Sequence, residues 1–201
     1  MRITKEPDER RAELMETAGR LFAERGFASV RVSDIVAAMG VAQGTFYYYF
    51  PTKDHVLVAL LEVKWQEVAA FIEAELSAYD EPVARLSAAL AWMLRPGSEL
   101  TADARYRILM DPAVAGAFHP AFDAARTRSL YPVMSRVVAY GMERGAFESI
   151  VQAAEVVRIV FLGITARMHE VEPAGLPEAL SAICGLLERV LGLSSGSIKL
   201  Y

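Results

Sequence analysis

Val32-Ser33-Asp34-Ile35-Val36-Ala37-Ala38-Met39-Gly40-Val41-Ala42-Gln43-Gly44-Thr45-Phe46-Tyr47-Tyr48-Tyr49-Phe50 is the stretch whose reading decides the fold. Ile35, Val36 and Met39 recur at i, i+1 and i+4 and give a first short helix an inward apolar stripe. Gly40 ends that helix, because glycine enters the left-handed conformation without a Cβ penalty. Val41 plugs the turn. A second helix runs from about Gln43 to Phe50, with Phe46 and Phe50 (i, i+4) toward the core and Gln43, Thr45, Tyr48 and Tyr49 outward. Pro51 closes it, since the residue before a proline is pushed out of the helical region. The pattern is a helix-turn-helix.

A helix this short, with polar and aromatic tips on its outer face, suits a DNA major groove. Gln43 and Thr45 stand at its start, where such helices reach base edges: the glutamine amide matches adenine N6 and N7, and the threonine methyl matches a thymine methyl. Gly44 lets the backbone approach closely. Tyr47, Tyr48 and Tyr49 step by about 100° each and cannot all point one way. Lys53 opens the next helix, where its ammonium and the helix N-terminus both suit a phosphate. Arg31 and Ser33, at the start of the first motif helix, complete the expected DNA-binding set, with Arg31 within reach of a phosphate.

The motif resembles the N-terminal domain of the TetR family of transcriptional regulators. Phe22-Ala23-Glu24-Arg25-Gly26-Phe27 matches the family's first helix end, and Ile35, Gly40, Val41, Gly44, Thr45, Phe46, Tyr47, Tyr49, Phe50, Lys53 and Leu57 match the remainder at the family's spacing. The resemblance covers roughly residues 10–60. Two positions depart from it. Ala42 stands where the family has a Ser or Thr N-cap, a loss of about 1 kcal/mol, and Arg31 stands where Ser or Thr is usual.

The resemblance implies an all-α protein: a three-helix helix-turn-helix headpiece over 1–54 and a helical ligand-binding and dimerisation domain over 55–201. It also implies phosphate contacts from Tyr47 and Tyr49, with Tyr48 at the edge of the base-reading face. A homodimer through the last two long helices, a palindromic double-stranded DNA operator and a small-molecule effector that releases a repressor are implied in the same way. The residues leave a second reading open, a helical small-molecule sensor or interaction module without DNA binding.

Composition bounds these readings. The chain has 201 residues, one cysteine (Cys184) and a formal net charge of −4. Residues 1–53 hold eight Lys/Arg and seven Asp/Glu, so the N-terminal part carries +1 and the remainder −5. The sign fits a DNA headpiece, but total charge alone would not suggest one; besides Lys53 and Arg31, the Arg10/Arg11 pair is a local source of cations. There is no long apolar run, and the charged N-terminus is unlike a secretion signal, so a cytoplasmic protein with no membrane partner is expected. His55, His119 and His169 lack metal-ligand spacing, and no nucleophile elbow, phosphate loop or dinucleotide fingerprint occurs. No catalytic residue, metal or cofactor is expected.

Outside the motif the chain reads as helices. Leu14, Ala18, Leu21 and Phe22 form one stripe; Leu57, Leu60, Leu61, Trp65, Val68 and Ile72 form another along a long fourth helix. Pro82, Pro96-Gly97, Asp111-Pro112, His119-Pro120 and Gly145 punctuate the later helices, with a short segment expected between Pro112 and Pro120 and a kink or helix start at Pro132. Residues 153–169 are apolar on nearly every side, the mark of a buried helix, and Leu180, Ile183, Leu187, Val190 and Leu191 stripe the last one. Trp92, Tyr106, Met110, Phe118, Phe122, Phe161 and Met168, with Met93 and Met134, are candidates for an apolar effector lining, and Arg105, Arg107 and His169 for its polar contacts.

Overall fold

The protein is all-α. A computed structural model describes residues 6–94, 108, 111–148, 155, 157–163 and 175–200, and no strand occurs among them. The helices are α1 (Pro7–Arg25), α2 (Val32–Met39), α3 (Gln43–Tyr49), α4 (Lys53–Leu76), α5 (Pro82–Leu94), α6 (Pro112–Glu143), a stretch α7 over 157–163, and α8 (Leu176–Val190). Among the described residues no helix is long and apolar enough to cross a membrane.

Two compact units divide the chain, one comprising Met1–Glu67 and Gly97–Arg126, the other Val68–Pro96 and Thr127–Tyr201. The first unit takes in more than residues 1–54, and the reason is packing. Val56, Leu57, Leu60 and Leu61 on α4 are buried, and they lie in the same unit as the headpiece. Phe118 meets Phe27 edge-on at 5.5 Å and Phe122 meets Trp65 at 5.4 Å, which brings the start of α6 into that unit.

In the first unit the α1 stripe of Leu14, Ala18, Leu21 and Phe22 is buried, together with Val30, Ile35, Phe46 and Phe50. In the second, Leu86 and Leu90 of α5, Val133, Val137 and Val138 of α6, Phe161 of α7 and Leu187 of α8 are buried. The segment after α8 is tied down by a buried carboxylate. Glu188 accepts hydrogen bonds from the Gly196 and Ile198 amides at 3.0 and 2.8 Å, and the Lys199 amide donates to Ser87 Oγ at 3.1 Å. With its oxygens paired in this way, the burial of Glu188 is tolerable. One turn earlier, burial and then the Glu188 charge push the Cys184 thiol above its ordinary range, so it stays protonated and a poor nucleophile at neutral pH.

The break expected at His119-Pro120 does not occur. α6 runs unbroken for 32 residues through both Pro120 and Pro132. An interior proline removes a hydrogen bond and crowds the carbonyl four residues back, at about 3 kcal/mol. Packing on both sides offsets that loss: Phe118, Phe122 and Ala125 around Pro120, and Leu130, Val133 and Met134 around Pro132. After α6 the chain turns back so tightly that a Cβ on Gly141 would overlap the Phe147 ring. Gly141→Ala should therefore lower Tm by the equivalent of about 1–3 kcal/mol. A melt unchanged by that substitution would show that the ring yields without cost.

Candidate nucleic-acid interface

α2 and α3 are short helices held by their buried faces. Ile35 and Val36 of α2 are buried and Met39 is half-buried. The Asp34 carboxylate accepts the Arg31 amide at 2.7 Å, one half of a capping box. Arginine has no acceptor to supply the other half, so the guanidinium of this exposed residue is not used to cap the helix. Gly40 ends α2 in the left-handed conformation, with φ 65° and ψ 31°. Two residues later α3 starts at Gln43, its N-cap Ala42 making no side-chain hydrogen bond. The chain leaves α3 at Phe50 in an extended conformation, before Pro51.

The seven residues of α3 sort cleanly by face. Phe46 and Phe50 are buried, their rings 6.1 Å apart. Gln43 and Gly44 are exposed, Thr45 and Tyr49 half-buried, and Tyr47 and Tyr48 are 52% and 77% exposed. Tyr48 stands edge-on to Tyr49 at 4.8 Å, and Tyr47 edge-on to Phe46 at 5.5 Å. A Cβ on Gly44 would meet nothing within 4 Å. The chain itself does not require glycine there, and the bare backbone leaves room for something from outside. Ser33 is exposed at the start of α2.

The headpiece cations are mostly engaged within the protein. Arg10 pairs with Glu13 at 2.8 Å, Arg20 with Glu24 at 3.3 Å, and the Arg11 guanidinium lies 4.9 Å from the Phe50 ring centroid. Lys53 donates to the carbonyls of Phe27, Val30 and Ala28 at 2.7, 3.0 and 3.5 Å. Arg25 and Arg31 are exposed, and neither side chain makes an ion pair or hydrogen bond among the described residues.

Residues 14–60 match the sequence profile of bacterial regulatory proteins of the tetR family. That segment is a tetR-family domain. The chain is 40% identical over 55 residues to the HTH-type transcriptional regulator EthR of Mycolicibacterium smegmatis, covering 27% of this chain and 25% of EthR. It is 37% identical over 60 residues to the HTH-type transcriptional repressor KstR2 of Mycobacterium tuberculosis, covering 30% of each. The similarity to these curated relatives thus spans less than a third of their length. The fold extends further: RolR, solved with resorcinol, superposes with a TM-score of 0.62 over 95% of this chain and 91% of its own, at 22% identity.

The residues expected to line an effector site fall in the first unit, in the second unit or outside the described residues. Trp92 packs edge-on against Phe71 at 5.4 Å in the second unit, and Phe118 and Phe122 contact Phe27 and Trp65 in the first. Tyr106, Met110 and Met168, with Arg105, Arg107 and His169, lie outside the described residues. Phe161 does line a cavity of about 10 Å³ in the second unit, with Met93, Met134, Leu86, Leu90 and Leu187 among its other walls. Sequence reasoning missed the Lys53 contacts, because loop carbonyls 23–26 positions away leave no periodic signal.

Two substitutions separate what α3 needs for folding from what it presents. Tyr48→Ala should change stability by no more than about 0.5 kcal/mol, as for an exposed side chain. Ala42→Ser should raise it by about 1 kcal/mol by restoring the missing cap. Thermal melts check both, and a large loss in the tyrosine variant would make that ring a packing residue.

Proposed function

We propose that the chain is a DNA-binding transcriptional regulator, a cytoplasmic homodimeric repressor that binds a palindromic operator and is released by a small hydrophobic effector. The exposed face of α3 carries this reading: Gln43, Gly44, Thr45 and Tyr48 stand outward over the buried Phe46 and Phe50. Amide, hydroxyl and bare backbone are what base edges and phosphates accept. Ser33, Tyr47, Tyr49 and Arg31 flank them as backbone contacts. The relatives named as transcriptional regulators share this segment.

Dimerisation is supported by apolar side chains that the chain leaves outside. Ile159 and Leu162 on α7 are 67% and 55% exposed, while Val157 and Phe161 on the same helix are buried. Leu186 and Val190 on α8 are 54% and 37% exposed, while Leu187 and Leu191 are buried. Both helices thus have one face for their own core and another left exposed among the described residues, as a two-fold interface requires. Two headpieces then address two half-sites.

The effector reading rests on the second unit's apolar core. A cavity of about 10 Å³ holds roughly one water, and a ligand needs several hundred Å³. Entry must therefore displace side chains, and Met93 and Met134 in its wall are the residue type that repacks most readily. A ligand that forces such a change couples to DNA by about 1–3 kcal/mol, and operator must weaken effector binding by the same factor.

Selection of duplexes from a random pool with the full-length protein tests the function. A palindromic sequence should be enriched, and its affinity should fall with rising salt. No enrichment at low salt would favour the sensor without DNA binding. Leu186→Glu should convert the dimer to monomer by light scattering and weaken operator binding. A dimer that survives the charge would place the interface elsewhere.

A further inference from the structure

We infer that Lys53 is a positioning residue of the headpiece: its ammonium clamps the two ends of the helix-turn-helix together and is not a contact to DNA. This rests on the proposed DNA-binding reading, but the geometry is internal to the chain. Lys53 is the first residue of α4, four positions after the last residue of α3. Its three ammonium protons face three carbonyls of the loop that precedes α2, those of Phe27 at 2.7 Å, Val30 at 3.0 Å and Ala28 at 3.5 Å. An ammonium has three donors, and the third of these contacts lies at the limit of hydrogen-bonding range. The chain between loop and lysine is the helix-turn-helix itself, so one side chain closes it into a ring.

Three further observations point the same way. No backbone amide donates to the three carbonyls in the turns and loops among the described residues, which leaves the Lys53 ammonium as the donor to the part-buried Phe27 and Val30 carbonyls. A cation in the first turn of a helix opposes the helix dipole, so Lys53 is not there for the sake of α4. The ammonium also lies 4.4 Å from the Phe27 ring centroid, within cation–π range. That ring in turn meets Phe22 at 5.0 Å and Phe118 of α6 at 5.5 Å. Removing the ammonium would release the loop, the ring that α6 touches and the exit of α3 together. The angle of α3 to DNA would go with them.

The salt dependence of DNA binding separates a clamp from a phosphate contact. The probe is the duplex recovered by selection, titrated with full-length wild type and Lys53→Met. A clamp predicts affinity about tenfold weaker, with the slope of log K against log salt unchanged. A phosphate contact predicts a slope shallower by about 0.9 for each lysine, about 1.8 for a dimer, and would overturn the inference. Undiminished affinity in a folded variant of lower Tm would overturn it too, leaving a purely structural lysine. A second readout needs neither variant nor DNA: in isotope-labelled wild type, the Lys53 ammonium nitrogen should show scalar coupling across hydrogen bonds to the Phe27 and Val30 carbonyl carbons. Presence of that coupling supports the clamp even if no duplex is selected, when the DNA-binding reading alone would fall. Its absence removes the clamp whatever the DNA result.

Discussion

Seven residues cannot form a stable helix in water, because the first turn costs more than a helix of that length returns. α3 therefore exists only as a face of the headpiece core, through the burial of Phe46 and Phe50. This constraint is tighter than usual, since Ala42 contributes no cap. Every outward feature of α3 is a consequence of it. With two rings fixed inward, the helical period leaves Gln43, Gly44, Tyr47 and Tyr48 outside. Deepening the core beneath α3, Leu14, Phe22, Ile35 and Leu57 are buried from α1, α2 and α4. The site is precise because it is built on packing and not on the helix's own propensity.

That construction explains why the headpiece was legible in the sequence. The stripes of α1, α2 and α4 are local and periodic, the glycine at position 40 is a conformational requirement, and the proline at 51 is a stop signal. All three leave marks within a few residues of where they act. The end of α3 at Phe50 was readable for that reason, and so was the sorting of Phe46 from Tyr48. The engagement of Lys53 was not, because its carbonyl partners come from a loop 23–26 positions earlier in the chain. Nor was the pairing of Arg11 with the Phe50 ring, since both residues fit an exposed cation and a core phenylalanine equally well in sequence.

The later helices show the opposite case. Pro120 reads as a break, yet α6 passes through it, because a proline's local cost is smaller than the packing gathered on both sides. Hydrophobic periodicity marks a residue as inward without saying inward to what. Phe118 and Phe122, read as candidates for an effector lining, meet Phe27 and Trp65 within the first unit, partners that periodicity does not specify. The all-round apolar character of residues 153–169 was informative only once Phe161 was seen inside and Ile159 outside. Apolar surface on the outer face of a helix is a property of the fold, visible when the inner face has been assigned.

We propose that α3 reads base pairs through the residues its core packing turns outward, Gln43 first among them. The most direct test measures wild type and Gln43→Ala against the selected duplex and against duplexes with each half-site position changed in turn. The expected result is that the alanine variant loses about 1–3 kcal/mol of discrimination at one base pair per half-site, with its salt dependence intact. Equal losses at every position, or none, would contradict the account, because Gln43 would then be a backbone contact or a bystander.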